Sequence, residues 1–316
     1  MRVPLPAAMI TMSSAMLSLF RRTGFRSLII VALCGLLGLG SGCSALRIGY
    51  GTAPDLVYWW LDGYVDFDSS QSPRAREAIR QWFAWHRTTQ LPDYAAQLSR
   101  AQAEVLADTS AARVCEWQAE VVKRAQVAFE RIAPAAADLM LTVTPTQVRH
   151  LEQRYAKYNA EFRDDFLQPD PRKRAEKTLE RAVDRAEMLY GRLGDTQRSR
   201  IAELLARSPF DAEAWLAERR ARQQEMVQIL RRPSAEGLTR EQALAALRAY
   251  VKRLRQSPRE GYRRYGERLA EFNCSFAASL HNATHTAQRR VAAQRLAGWE
   301  GDLRAIAAAG EPRPSN

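Results

Sequence analysis

The chain is 316 residues long with a formal net charge of +12, and 46% of its side chains are hydrophobic. That is ample for a buried core, in one large domain or two small ones. Only five of the 47 basic residues are lysine, so arginine dominates; such a bias reflects a GC-rich genome, and net charge alone is no argument for phosphate binding.

The chain opens on a leader. Arg21, Arg22 and Arg26 form a positive cluster, Leu28 to Leu39 form an apolar run, and Gly40-Ser41-Gly42 leads to Cys43. The run is too short to cross a bilayer with ease and has the order of a secretory signal. A cleavage site that ends on a cysteine resembles the bacterial lipoprotein signal. That resemblance implies cleavage before Cys43 and lipidation of its thiol and new amino group. Gly40 stands where the signal prefers leucine. Ser44, not aspartate, follows the cysteine, which by the enterobacterial sorting rule implies the outer membrane. The expected organisation is a signal peptide over 1–42, a lipidated linker over 43–49, one all-helical domain over 50–309 and a flexible tail over 310–316. Loss of the leader's four arginines lowers the net charge to +8.

Beyond Cys43 nearly every segment repeats with helical period, and none alternates convincingly as a strand. The expected fold class is all-α, an irregular bundle of about ten helices. A short aromatic helix is predicted over 54–64. Ala75, Ile79, Trp82, Phe83 and His86 line one face of the second helix, and Leu91-Pro92 opens the third. Val114, Trp117, Val121, Ala125, Ala128 and Ile132 mark the fourth, which Pro134 should end or kink. Thr144-Pro145-Thr146-Gln147 opens the fifth with a capping box and a first-turn proline; its seam is Val148, Leu151, Tyr155, Tyr158 and Phe162. Pro169-Asp170-Pro171 breaks the chain before a helix running to Leu193 and Gly194. A short helix then carries Ile201, Leu204 and Leu205. Asp211 can cap the next, which Pro233 and Gly237 close. Thr239 to Gln242 forms another capping box. Ser257-Pro258 starts a helix with two apolar strips, one through Tyr262, Tyr265, Leu269, Phe272 and Phe276, the other through Ala270, Cys274, Ala277, Ala278 and His281. Two strips predict burial on two sides. The last helix uses Ala292, Leu296, Trp299, Leu303 and Ile306.

Cys115 lies among Ala111, Ala112, Ala119 and Val122, and Cys274 among comparable small residues. Small residues let two helices approach closely, and a disulfide requires Cα atoms within about 7 Å. The two cysteines either pair or remain separate buried thiols; an oxidising compartment favours the pair.

Three sets of residues are candidates for function. Tyr50 to Asp68 is aromatic and acidic, with Trp59, Trp60 and Tyr64 beside Asp62 and Asp66. Aromatic faces near carboxylates grip sugars or cationic groups, and in a helix Asp62 and Asp66 would share a face as a carboxylate pair. The plainer alternative is a helix that docks its tryptophans into the bundle. Residues 219–268 hold thirteen arginines and one lysine against five glutamates. A concentrated basic surface attracts polyanions, whereas arginines paired with local acids would leave only a solvated face. Arg255, Arg259 and Arg263 are the expected exposed handles, whose reversal should barely change stability. His86 sits on an apolar face. His281 and His285 are four apart, a spacing that can chelate a metal on a helix, but Asn282 and Thr284 read as a helix end and a new cap, and no metal ligand is assigned. No nucleophile elbow, phosphate loop, dinucleotide fingerprint or Cys-x-x-Cys occurs, so no catalytic residue and no cofactor are assigned.

Leu39 to Ser44, Tyr50, Trp59-Trp60-Leu61-Asp62 with Tyr64 and Asp66, Trp85-His86-Arg87, Leu91-Pro92 with Tyr94, Ser208-Pro209-Phe210-Asp211 with Trp215, and His281-Asn282 with Thr284 form a set of points along the chain. Together they resemble an uncharacterised proteobacterial lipoprotein family, DUF6279. Gly194-Asp195-Thr196-Gln197 departs from the Thr-Pro-x-Gln helix start expected there. The resemblance implies location and an all-helical fold, and no activity.

The expected function is a non-enzymatic, periplasm-facing outer-membrane lipoprotein that binds an anionic envelope component or a partner protein through 219–268. An envelope hydrolase built on 50–68 and a lipid or hydrophobe carrier are the alternatives. A filled core, a cleft lined by Asp62 and Asp66, and an apolar tunnel would distinguish the three. Nucleic acid is a poor partner for an exported protein. Cys43→Ser is expected to abolish lipid labelling and leave the protein unprocessed or soluble; normal maturation and membrane partitioning of that variant would contradict the anchor.

Overall fold

A computed structural model describes residues 45–309. Cys43 and the tail from Gly310 lie outside the described residues. The described chain is all-α: α1 Ala45–Val65, α2 Gln71–Trp85, α3 Leu91–Glu104, α4 Ala111–Met140, α5 Pro145–Phe166, α6 Pro171–Tyr190, α7 Asp195–Leu205, α8 Ala212–Glu236, α9 Arg240–Arg255, α10 Glu260–Asn282 and α11 Thr286–Ala308. A five-residue π turn, His86–Gln90, joins α2 to α3 without a break. Its last hydrogen bond runs from Leu91 N–H to the His86 carbonyl, and Pro92 follows without an N–H to give. The wider turn shifts the register there and keeps one rod.

Capping chemistry sets most boundaries as the sequence predicts. Thr144 and Gln147 form the full box of α5, and Thr239 and Gln242 that of α9. Asp211 accepts from Ala214 N–H at the head of α8, and Gly237, at φ 63°, ends it in the left-handed region.

Other boundaries differ. The first helix is longer than predicted: it begins at Ala45, inside the stretch expected to be a linker, and contains Pro54. Pro134 does not end α4, which continues to Met140. Ala133 and Ala137 are fully buried there, and Ala137 and Met140 pack with Ile229 of α8 and with Ala243 and Leu247 of α9. That packing outweighs the backbone hydrogen bond a proline forfeits. The sixth helix stops at Tyr190 and not at Gly194, because Gly191 takes a φ of 77°. Leu193 stays buried beyond the helix, with its N–H held by the Glu187 carboxylate at 3.0 Å.

α11 lies along α3 and also touches α6 and α1. Ala292 and Leu296 of α11 meet Val183, Ala186 and Tyr190 of α6 and Ile201 of α7 in one apolar cluster. A second cluster joins Tyr58 of α1 to Ala75, Ile79 and Phe83 of α2. α10 is buried along both of its strips, through Tyr265 and Leu269 on one and Ala270, Cys274 and Ala278 on the other. There it packs against α4, and Cys115 and Cys274 form a disulfide with Cα atoms 5.4 Å apart.

The cross-link spans 159 residues of sequence. Replacing both cysteines by alanine is expected to lower stability by about 2–5 kcal/mol, read as a shift in denaturant midpoint. Two free thiols in the mass spectrum of non-reduced protein would contradict the pairing.

Candidate functional site

α5 and α8 pack side by side and run in opposite directions: Glu152 meets Arg231, Asn159 meets Gln223, and Phe162 meets Trp215. Their seam is apolar at one end, where Val148 packs on Val227. In the middle it opens into a cleft of about 350 Å³. Tyr155 and Asn159 line it from α5, and Arg220, Gln223, Gln224 and Arg231 line it from α8. Asn159 and Gln223 exchange two amide hydrogen bonds, at 2.7 and 3.2 Å. Arg231 pairs with Glu152 at 2.9 Å across the outer edge. Those bonds turn the Asn159 and Gln223 amides to each other and Arg231 to Glu152, so the open wall is mainly apolar, with Arg220 and Gln224 as the polar groups that could meet an anionic or hydroxyl-bearing ligand.

The inner end of the cleft meets an aromatic cluster. Tyr155 approaches Tyr64 of α1 at 6.2 Å, Tyr64 stacks on Tyr158 at 5.2 Å, and Trp60 leans on Tyr64 at 5.0 Å. Arg154 covers the Tyr158 ring at 5.1 Å and Arg219 covers Trp215 at 5.5 Å. Burial, with Tyr158 beside it, pushes the Tyr64 phenol up to about 12. Burial also raises Tyr155. At neutral pH both phenols are therefore uncharged donors.

The structure redistributes the acidic residues of 50–68. Asp66 lies past the end of α1 with a φ of 57°, so Asp62 and Asp66 do not share a helix face as a carboxylate pair. The Asp62 carboxylate accepts the Phe67 N–H at 3.0 Å, and the Asp66 carbonyl accepts from Gln147 Nε2 at 2.8 Å. Asp68 accepts from Ser70 and from Gln71 N–H, hydrogen bonds that hold its carboxyl below the usual range. These aspartates build the turn after α1. The two tryptophans are not docked into the bundle: Trp59 is 61% exposed and Trp60 44%.

The basic stretch is likewise mostly internal bookwork of charge. Eight of its thirteen arginines sit in ion pairs, from Arg222–Glu218 to Arg264–Glu260. Arg255 bonds to Gln126, and Arg263 to the Ser257 carbonyl at 3.3 Å. Arg259 differs from expectation most. Its guanidinium holds Glu218 at 2.5 Å, and only 2% of that side chain is exposed. Arg259 is thus a structural partner and not a free handle.

Both ring nitrogens of His281 are engaged, Nδ1 with the Tyr190 hydroxyl at 2.8 Å and Nε2 with the Ala107 carbonyl at 2.7 Å. His285 is the N-cap of α11, so the pair does not lie on one helix. His86 stacks on Trp82 at 4.6 Å and meets the Tyr50 hydroxyl at 2.9 Å. Burial pushes its imidazole down to about 4 and keeps it neutral.

The sequence singles out the α8 wall only as part of the basic stretch 219–268, and does not reveal its pairing with α5 or the role of Asn159. One signal was available: Asn159 falls on the apolar seam of α5, one turn beyond Tyr155, where a polar residue demands a buried partner.

Residues 63–272 match the DUF6279 family, described as a family of unknown function. The chain belongs to this family. The DUF6279 match takes in both walls of the cleft, begins after Trp59 and Trp60, and ends before Cys274. No curated protein and no solved structure matches the chain.

Glu218 sets a testable limit on the fold. Burial alone would raise its carboxyl, but the Arg259 hydrogen bond and the charges of Arg222 and Arg259 hold it below the usual range. A depressed folded-state value adds stability that is complete above the ordinary carboxylate pKa of about 4.3 and is lost as pH falls below it. Glu218→Ala is expected to cost about 3 kcal/mol at neutral pH, since it strands two guanidinium groups. Thermal unfolding followed from pH 7 to pH 3 should show the wild type converging on the variant.

Proposed function

We propose that this DUF6279 protein is a lipid-anchored, periplasm-facing outer-membrane lipoprotein, and that its helical domain is a non-enzymatic module binding an anionic envelope component or a partner protein. The anchor rests on the sequence order that ends at Cys43. No helix among the described residues is long and apolar enough to cross a membrane. The observation that carries the binding reading is the α5–α8 cleft. Its α8 wall, with Arg220 and Arg231, belongs to the basic stretch 219–268. This moves the proposed contact from Arg255, Arg259 and Arg263 to the first half of that stretch.

The hydrolase alternative needs two carboxylates facing a substrate. The Asp62 carboxylate instead accepts the Phe67 N–H, and Asp66 lies past the end of α1 with a φ of 57°, so the two are not set as a pair on one helix face, which favours binding over hydrolysis.

Unanchored Cys43→Ser protein should bind anionic envelope fractions, with an affinity that falls as salt rises. Arg220→Glu with Arg231→Glu is expected to weaken that binding about tenfold, ~1.4 kcal/mol, with little change in melting temperature. Arg259→Glu should instead lower the melting temperature, because it sets a second carboxylate against buried Glu218. Binding that ignores both salt and the cleft reversals would remove the cleft from consideration.

A further inference from the structure

The outer side of α1 exposes large apolar side chains. The helix packs on α2, α5 and α11. On its other side Ile48 is 61% exposed, as is Trp59, and Trp60 is 44% exposed. Ile48, Thr52, half-buried Leu56 and Trp59 follow one another at helical spacing and make one stripe. Each charged residue of α1 has a partner. Arg47 reaches inward to Asp302 of α11 at 2.9 Å, Asp55 lies 3.6 Å from Arg76 of α2, and Asp62 holds the turn. Asp55 lies on this same face, seven residues after Ile48 and four before Trp59, and its side chain is 69% exposed, so the stripe carries one carboxylate at its middle, beside Arg76.

Helix chemistry alone gives a weak reason for α1 to extend so far toward the amino terminus. Gly49, Gly51 and Pro54 all disfavour a helix. A Cβ at Gly49 or Gly51 would meet nothing within 4 Å, so no close packing requires these glycines. A helix of this composition needs support on its open side.

The position of Cys43 indicates what gives that support. Only one residue separates it from Ala45, the first residue of α1. No long spacer lifts α1 away from an acylated Cys43. At 1.5 Å per residue, Trp59 lies roughly 20 Å further along the axis. A helix leaving the anchor along the surface would hold Ile48 and Trp59 at the same depth. Tryptophan is the side chain that prefers the boundary of headgroups and acyl chains, and an apolar helix face lying in that zone buries surface without crossing the bilayer.

We infer that the exposed face of α1 rests in the headgroup zone of the leaflet that holds the Cys43 acyl chains, with Ile48 and Trp59 as its interfacial contacts and Trp60 at its edge. The inference rests on the lipid-anchor reading above. Contact through Ile48 and Trp59 is hydrophobic, and the one carboxylate on the face would not favour anionic lipid, so the contact does not require anionic lipid and is not weakened by salt. It therefore differs in kind from binding at the cleft.

The test uses mature, lipidated protein in phosphatidylcholine vesicles whose acyl chains carry bromine, a short-range quencher of tryptophan. Partial quenching is expected, and it should persist in high salt. Trp59→Gln with Trp60→Gln should abolish it, since Trp82, Trp85, Trp117, Trp215 and Trp299 remain as unquenched emitters. Trp59→Gln alone leaves the Trp60–Tyr64 contact intact and should remove at least half of the quenching, which keeps the test open if the double variant folds poorly. Protein that is lipidated by mass and bound to vesicles, yet unquenched, would overturn the α1 contact and leave the anchor standing. Protein that carries no lipid would overturn the anchor and the contact together. Shielding of Trp59 that grows with protein concentration in the absence of lipid would assign the face to a second copy and overturn the inference.

Discussion

Two buried glutamines fix the geometry on which the cleft depends. Gln71 and Gln147 each use the side-chain carbonyl to accept the N–H three residues back, at Asp68 and at Thr144. Their amide groups then cross-donate, and each also donates to a backbone carbonyl of the opposing segment, Thr142 for Gln71 and Asp66 for Gln147. Both side chains are buried, and a buried amide with all of its bonds made is rigid where an unpaired one would be costly. The result pins the end of α1 to the start of α5. Tyr64 is thereby set against Tyr155 and Tyr158. The same device recurs elsewhere. Gln197 and Gln288 cap α7 and α11, donate to each other, and reach the Ala283 and Arg192 carbonyls. Two pairs of helix starts are thus locked by the residues that cap them.

This explains which parts of the fold were legible in the sequence. A helix cap is a local pattern, so the starts of α5 and α9, with their capping boxes, and of α8, with Asp211, could be read from a few residues each. That the capping glutamines also clasp one another could not, because the partner lies tens of residues away. Pro134 misled for a related reason. Its local cost is real, but it is outweighed by Ala133 and Ala137 packing at sites distant in sequence. Gly194 drew the end of α6 away from Gly191, since both are glycines and only the backbone angle separates them.

The candidate site was less legible than the fold. Clusters of like charge in a sequence do not show where each charge points. In 219–268 the glutamates and aspartates that neutralise the arginines come largely from other segments: Asp138 and Glu130 from α4, Glu152 from α5, and Glu218 just outside the stretch. A window count therefore exaggerates the surface field. The aspartates of 50–68 misled similarly, because their spacing assumed a helix that ends one residue before Asp66. The aromatic residues of that segment were read more usefully: Trp60 and Tyr64 do join one cluster, and it borders the cleft.

The Cys115–Cys274 bond divides the molecule by how it would bear a mechanical load. The covalent ring contains α5 to α9 and hence both walls of the cleft. α1, α2 and α3 precede the ring and α11 follows it. Tension entering at the amino-terminal end must pass first through α1 and its contacts, among them the Arg47–Asp302 pair and the packing of α3 on α11. Those contacts can yield while the ring stays closed. A tug on the tether would peel the outer helices before it could draw the cleft walls apart.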